Sequence, residues 1–202
     1  MLDKKRESFK EEEKKIGRIF NHLGISPNQW TLISVLAGLI SLYFIVKQYF
    51  IFAIVFFLIS GFADYLNGII ARHRDVYTKL FRYFDTVSDR YVDGIVLFGM
   101  LFLPLPNILF PGYVWIFLLL FGSLTTAFVK AAAKEKELVI KELKGGLITR
   151  AERILLISIA LFLGTIDASF VWTTYLLIFL VIITNFTALQ RIFSAVRAEG
   201  KQ

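Results

Sequence analysis

Long apolar runs interrupted by carboxylates constrain this chain more than any other feature of its sequence. One run extends from Tyr49 to Ala63 and leads directly into Asp64, and another begins at Gly94, directly after Asp93. A membrane-spanning helix needs about 20 consecutive apolar residues. The chain has 202 residues, of which 56% are hydrophobic, and a mean hydropathy of +0.65. We therefore predict an all-α integral membrane protein with six transmembrane helices.

The boundaries of the spans follow from the residues that interrupt the apolar runs. We expect spans at about 28–46, 49–72, 78–103, 112–134, 148–164 and 168–193, with a polar cytoplasmic loop at 134–146. Residues 1–22 are densely charged with apolar residues at helical intervals, which predicts an amphipathic juxtamembrane helix. The alternative for this stretch is a solvated charged tail. Residues 23–202 are expected to form one transmembrane domain.

The basic residues are distributed as membrane topology requires. They cluster in residues 1–18, 72–82, 130–153 and after 191, and alternate connections hold almost none. This pattern follows the positive-inside rule and places both termini in the cytoplasm of a multi-pass protein of the cell membrane. It also accounts for the net charge of +7 without a nucleic-acid partner. The chain has no cysteine, which excludes disulfides and thiolate metal sites, and we expect no cleavable signal peptide.

Two polar stripes lie at helical spacing on the second and third predicted spans. The first occupies positions i, i+3, i+4 and i+7, which are Asp64, Asn67, Gly68 and Ala71. The second occupies positions i, i+4 and i+8, which are Asp85, Asp89 and Asp93. Ionisable residues in a membrane segment are costly and usually functional. If the stripes face each other, their oxygens form a site for a divalent cation.

The residues beside the acids indicate the substrate. Arg72 offers a planar fork that suits a phosphate group, and the small residues Gly68 and Ala71 leave room for a ligand. A metal next to a phosphate-binding arginine at the cytoplasmic surface suggests a diphosphate with its lipid tail in the bilayer. An acid of the second stripe can then deprotonate an attacking hydroxyl.

This stretch resembles the signature of the CDP-alcohol phosphotransferases, D-x2-D-G-x2-A-R-x8-G-x3-D-x3-D. The matching residues are Asp64, Gly68, Ala71, Arg72, Asp85 and Asp89. The entry to the first span, Pro27-Asn28-x-x-Thr31, is also similar to that family, and the resemblance covers essentially the whole chain. It implies transfer of a phosphatidyl or archaetidyl group from CDP-diacylglycerol or CDP-archaeol to an alcohol, with release of CMP.

The resemblance also implies the roles of individual residues in a catalytic domain that acts as a homodimer. Asp89 would be the general base. Mg²⁺ or Mn²⁺ would be held by Asp64, Asn67, Asp85 and Asp89. The CDP site would be lined by Asn28, Thr31, Asp64, Gly68, Ala71, Arg72 and Phe81.

Two positions depart from the family signature. Asn67 stands where the second aspartate is expected, which removes one negative charge from the metal site, although an amide oxygen still coordinates hard cations. Phe81 stands where the second glycine is expected and puts an aromatic ring where the family leaves space. One alternative is therefore a weakened or inactive member of the family.

Basic residues at the cytoplasmic ends of the last three spans suggest the acceptor. The Thr149–Arg153 run resembles the corresponding stretch of those family members that use inositol phosphate. Four cations on one pocket suit a phosphorylated polyol better than serine or glycerol; these are Lys130, Arg150, Arg153 and Arg191. The competing explanation is that topology alone places basic residues there.

Other interpretations stay open at this level. Asp93 either supports the site or forms a structural ion pair, and Arg90 is expected to face it. The same spans with acids in the membrane also suit an ion-coupled transporter. Against a transporter, the sequence has no broken helices or repeated halves, and its acids lie toward one membrane face.

Overall fold

The computed structural model describes residues 13, 15–74, 76–139 and 146–199, and these ranges are predominantly helical. Beyond a short N-terminal segment at 15–21, the described ranges contain six long helices. They are α1 (Pro27–Val46), α2 (Phe50–His73), α3 (Lys79–Met100), α4 (Gly112–Glu135), α5 (Arg150–Ile166) and α6 (Val171–Glu199). Each overlaps one predicted span. The all-α class is thus confirmed for the described residues.

Side-chain caps fix where the helices begin. Ser26 and Gln29 form a capping box at the start of α1, with Pro27 in the first turn. Thr149 and Glu152 form a second capping box at the start of α5, with the Glu152 carboxylate 2.6 Å from the backbone nitrogen of Thr149. These boxes satisfy backbone donors that the first helical turn leaves free. The local sequence therefore sets the start of α5 at Arg150.

The helices pack in a closed circuit. In order around the circuit, α1 contacts α3, α3 contacts α4, α4 contacts α6, α6 contacts α5, α5 contacts α2, and α2 returns to α1. One apolar core runs through the circuit and receives a buried side chain from every helix, including Ile45, Phe57, Val96, Leu119, Leu161 and Leu177.

Small residues bring α1 and α2 close together. Ser34 donates to the backbone oxygen of Ser60 at 2.9 Å, and Ser41 donates to the backbone oxygen of Ala53 at 2.8 Å. All of these residues are buried in the contact. Small and hydroxyl-bearing residues allow helix backbones to approach in lipid, where apolar side chains give little drive to associate. The contact holds the N-terminal half of the signature-bearing helix against α1.

The outer surface of the helices is apolar. Within the described residues, four helices combine the length and hydropathy needed to cross a membrane: α1, α2, α4 and most of α6. Phe117, Phe179 and Ile182 expose 61%, 51% and 63% of their surface, which suits lipid rather than water. α3 carries several charged residues and α5 has only 17 residues, so neither meets the same criteria. The chain is a multi-pass membrane protein.

The described part of the predicted surface helix packs over α1 and α2. Residues 15–21 are helical, and Phe20 makes edge-on ring contacts with Trp30 and Phe62, at centroid distances of 6.0 and 5.8 Å. Residues 1–12 and 14, the rest of this prediction, lie outside the described residues. The amphipathic helix at 1–22 therefore stays a prediction beyond residues 15–21.

Asp167 organises the turn between α5 and α6. Its Oδ1 accepts hydrogen bonds from the hydroxyl and the backbone nitrogen of Ser169, and its Oδ2 accepts from the backbone nitrogens of Val171 and Trp172 at 3.0 and 3.3 Å. These hydrogen bonds, led by that from the Ser169 hydroxyl, hold the pKa of Asp167 below its ordinary value. The ionised carboxylate thus stabilises the start of α6.

We expect Asp167→Asn to lower the apparent Tm of the detergent-solubilised protein at pH 7. Because the folded-state pKa is depressed, the stabilisation is present above the unfolded pKa of about 3.9 and is lost as the pH falls through the folded pKa. The Tm difference from wild type should therefore shrink toward zero on acidification. Ser169→Ala, which removes the hydroxyl donor alone, should give a smaller effect. A Tm difference that stays constant from pH 7 to pH 3 would contradict this account.

Candidate functional site

Within the residues that the structure describes, three carboxylates converge where α2 meets α3. Asp64 lies on α2, and Asp85 and Asp89 lie one turn apart on α3. Each offers an oxygen within 4.8 Å of an oxygen on the others, and each residue is partly buried. Because the two polar stripes face each other, three of the predicted metal ligands lie close together. Oxygens at such separations can share one divalent cation.

Asn67 connects this cluster to α1. Its side chain is 1% exposed, and its Nδ2 donates to the hydroxyl of Thr31 at 3.0 Å and to Oδ1 of Asp85 at 2.9 Å. Its Oδ1 is buried and has no hydrogen-bond partner among the described residues. A buried acceptor without a partner is uncommon in folded proteins. The amide nitrogen thus faces Asp85, and the amide oxygen is the atom of this side chain that could serve a cation as a neutral ligand.

The guanidinium of Arg150 forms ion pairs with carboxylates on both α2 and α3. Its Nη1 contacts Asp64 Oδ2 and lies 2.8 Å from Asp89 Oδ1, and its Nε lies 3.2 Å from Asp93 Oδ1. Arg150 was predicted to bind the acceptor phosphate, and these carboxylate partners were not predicted from the sequence. Arg150 thus offsets part of the repulsion among the carboxylates that meet here.

Asp93 lies at the inner edge of the cluster. Its Oδ2 accepts hydrogen bonds from Arg90 and from Arg153, each at 3.1 Å. The expected pairing of Arg90 with Asp93 is confirmed. Arg153 is 5% exposed and Asp93 is 8% exposed. Buried charges of this kind are stable only when they are paired, so α3 and α5 are joined by buried ion pairs.

A basic cavity of about 280 Å³ opens beside the carboxylates. It is lined by residues of α3, α4, α5 and α6. The structure brings together in its wall all four residues predicted for the acceptor phosphate, namely Lys130, Arg150, Arg153 and Arg191. Arg191 also donates from Nη1 to the backbone oxygen of Thr126 at 2.8 Å. Asp89 lines the same cavity.

The other residues predicted for the CDP site lie along α1, α2 and the start of α3. Ala71 is fully buried, and a Cβ added to Gly68 would lie 3.4 Å from Nη1 of Arg72. Arg72 is about half exposed and pairs with Glu13 at 3.3 Å. Asn28 is exposed in the first turn of α1, one turn before Thr31. Gly68 and Arg72 therefore form a continuous surface on α2.

An aromatic contact replaces the open space that the signature glycine would leave. Phe81 is buried, and its ring centroid lies 5.7 Å from that of Tyr77. The guanidiniums of Arg72 and Arg82 lie 5.9 and 5.7 Å from the centre of the Tyr77 ring. Contacts of this length are typical of cation–π pairs. Phe81 thus belongs to a packed group around Tyr77, next to the predicted CDP surface.

The cavity wall also contains residues that were not predicted from the sequence. Thr126 and Lys134 lie one helical turn before and after Lys130, and Thr86 lies one residue after Asp85. The i, i+4, i+8 spacing of Thr126, Lys130 and Lys134 was a usable signal, because residues at that spacing share one helix face. No pattern in the sequence indicated the hydrogen bond between Thr31 and Asn67.

Comparison with known proteins identifies the family. The family model described as CDP-alcohol phosphatidyltransferase matches residues 24–189. The chain is 31% identical to the archaetidylinositol phosphate synthase of Pyrococcus horikoshii over 96% of both chains. It is 34% identical over 87% of its length to the bifunctional IPC transferase and DIPP synthase of Aquifex aeolicus, of which it covers 40%. The chain therefore belongs to the CDP-alcohol phosphatidyltransferase family, whose members are phospholipid synthases.

Solved structures share the fold. A phosphatidylinositol phosphate synthase of Mycobacterium tuberculosis with CDP-DAG bound superposes with a TM-score of 0.75, at 20% identity over 91% of this chain and 92% of the other. The same protein in complex with manganese and citrate gives a TM-score of 0.73, at 22% identity over 91% of this chain and 88% of the other. At these identities the likeness establishes the helical arrangement.

We expect Asn67→Asp to destabilise the protein in a chelating buffer and to increase its stabilisation by Mn²⁺. The substitution removes the donor to Asp85 and Thr31 and adds a fourth carboxylate, so the apparent Tm in EDTA should fall by about 3–10 °C. A cation that binds only the folded state raises the Tm, and the additional charge should enlarge that rise. The measurement is the Tm of the purified protein with EDTA and with Mn²⁺.

Asn185→Asp is the matched control. Asn185 also donates from its amide, to the backbone oxygens of Leu118 and Val181, but it lies in the contact between α4 and α6. This variant should show the same Mn²⁺ shift as wild type. A Mn²⁺ shift that is no larger in Asn67→Asp than in wild type would contradict the placement of Asn67 at a cation site.

Proposed function

We propose that this protein transfers the phosphatidyl or archaetidyl group of a CDP-linked lipid to a hydroxyl of inositol phosphate and releases CMP. One observation carries the proposal: Asp89 belongs both to the carboxylate cluster and to the wall of the basic cavity. A hydroxyl held in the cavity can thus reach a carboxylate that also faces the donor's diphosphate. The match to an archaetidylinositol phosphate synthase supports the same acceptor.

The donor binds on the α2 side of the site. Asp64, Asn67, Asp85 and Asp89 would hold Mg²⁺ or Mn²⁺, and the bound ion would neutralise the diphosphate and stabilise the leaving CMP. The CDP moiety would contact Asn28, Thr31, Asp64, Gly68, Ala71, Arg72 and Phe81. The lipid is CDP-diacylglycerol or CDP-archaeol, and its chains would lie against the apolar outer surface of the helices.

The acceptor binds in the basic cavity. Lys130, Arg150, Arg153 and Arg191 surround a volume that suits a phosphorylated ring, and guanidinium groups form paired, charge-assisted hydrogen bonds with phosphate. An acceptor without a phosphate, such as serine or glycerol, would offer these cations no phosphate oxygens. The charge of the cavity therefore favours inositol phosphate over neutral alcohols.

Asp89 acts as the general base. It accepts the proton of the acceptor hydroxyl as that oxygen forms a bond to the lipid-linked phosphorus, and the bond from this phosphorus to the oxygen of CMP breaks. Arg150 lies 2.8 Å from one oxygen of Asp89, and Arg90 lies 3.6 Å from the other. These contacts orient the carboxylate for the proton transfer. The products are CMP and a lipid phosphodiester.

The membrane placement is part of the proposal. α3 and α5 complete six spans, because both belong to the closed circuit, and the 17 residues of α5 extend about 25 Å. The basic helix ends then face the cytoplasm of the cell membrane, together with the active site and both termini. The juxtamembrane helix at 1–22 and the catalytic domain at 23–202 form one subunit of a homodimer.

Product analysis tests the proposal directly. Purified protein with Mn²⁺ and radiolabelled CDP-diacylglycerol or CDP-archaeol should release CMP and form a new lipid with inositol phosphate, and not with inositol, serine, glycerol or glycerol phosphate. Equal turnover with glycerol phosphate would contradict the assignment of the acceptor. If only the Asn67→Asp, Phe81→Gly double variant turned over substrate, the wild-type protein would be a catalytically weakened member of the family. Ion flux in proteoliposomes without CMP release would favour a carrier.

A further inference from the structure

Asp93 has more charged partners than the expected pairing with Arg90 requires. In the described part of the chain its two carboxylate oxygens contact three arginines: Arg90 and Arg153 at 3.1 Å through Oδ2, and Arg150 at 3.2 Å through Oδ1. All of these side chains are largely withdrawn from solvent, with exposures of 22% or less. A single buried carboxylate therefore joins three guanidiniums, and Arg153 pairs with no other carboxylate among the described residues.

The arginines that Asp93 contacts also line the basic cavity. Arg90, Arg150 and Arg153 are all in its wall, whereas Asp93 is not. Asp93 thus lies behind the cavity wall and touches the groups that face the predicted acceptor. A guanidinium has several donors in one plane, so a carboxylate bonded to one of its nitrogens restricts the direction of the remaining donors.

The capping box of α5 explains why this arrangement is possible. Thr149 and Glu152 fix the first turn, so Arg150 and Arg153 stand at i and i+3 on one face of the helix. Both then meet the side of α3 that carries Asp93. Without the carboxylate, their like charges would repel each other in a medium of low polarity. Asp93 compensates that repulsion and holds both side chains in one geometry.

We propose that Asp93 is a positioning residue that sets the affinity and orientation of the phosphorylated acceptor through Arg150 and Arg153. This inference rests on the proposed function. Asp93 touches neither the donor nor the acceptor. It holds Arg153 through Nη2 alone, which leaves the other donors of that guanidinium for a phosphate group in the cavity. It also holds Nε of Arg150, whose Nη1 is bonded to Asp64 and Asp89, and so fixes the remaining Nη2 donors of Arg150 at the cavity wall.

The proposal predicts a specific kinetic change. Misplacing a substrate-positioning group by about 1 Å can cost up to about 100-fold in rate or affinity. We expect Asp93→Asn to raise the KM for inositol phosphate by about 10- to 100-fold, while the KM for CDP-diacylglycerol stays within about twofold. A residue that only stabilised the fold would lower the active fraction and leave both KM values unchanged.

Asp93→Glu keeps the experiment decisive if the asparagine variant does not fold. This variant retains the negative charge that compensates the arginines, but it displaces the carboxylate by one methylene group. Its KM for inositol phosphate should also rise selectively. Asp167→Asn is the matched control, since it neutralises a hydrogen-bonded carboxylate at the opposite end of α5 and should leave both KM values unchanged.

A double-mutant cycle tests whether Asp93 acts through Arg153. If it does, Asp93→Asn should raise the acceptor KM less in an Arg153→Ala background than in wild type, because coupled residues are not additive. Full additivity, or a folded Asp93→Glu with the wild-type acceptor KM, would overturn the inference. Wild-type protein without turnover on inositol phosphate would instead refute the proposed function, so the two failures are distinguishable.

Discussion

The ion pairs of Arg150 connect the parts of this structure that its chemistry requires. The guanidinium joins α5 to Asp64 on α2 and to Asp89 and Asp93 on α3. In a membrane interior each of these charges would be costly alone, and removing one partner of a buried pair is strongly destabilising. The pairing therefore offsets the repulsion between carboxylates that lie close together. It also fixes the relative positions of α2, α3 and α5 at the end of the bundle where the site lies.

From this arrangement the site acquires two sides with opposite charge. On one side the carboxylates and the free amide oxygen of Asn67 present oxygens for a cation. On the other side Lys130 and Arg191 join the α5 arginines in the cavity wall. Asp89 lies on both sides. A donor diphosphate with a cation and an anionic acceptor can thus be held next to each other without direct repulsion, which suits a phosphotransfer between two anionic substrates.

The sequence was sufficient for features that depend on local periodicity. Apolar runs and caps such as Ser26 with Pro27 located the helices, and the four-residue spacing of Asp85 and Asp89 located the acidic stripe. It was insufficient for features that depend on tertiary packing. Arg150 was assigned to the acceptor alone because helical spacing does not reveal which carboxylates another helix contributes. Likewise, helical spacing on α3 does not reveal that Asp93 pairs with Arg150 and Arg153 of α5.

Mn²⁺ binding measured by electron paramagnetic resonance tests the central claim most directly. Titration of the detergent-solubilised protein should show saturable Mn²⁺ binding. The Asp64→Asn, Asp85→Asn double variant should bind at least about tenfold more weakly, because it removes one carboxylate from each helix. Asp167→Asn should bind as wild type does. Unchanged Mn²⁺ affinity in the folded double variant would contradict a cation site shared by α2 and α3.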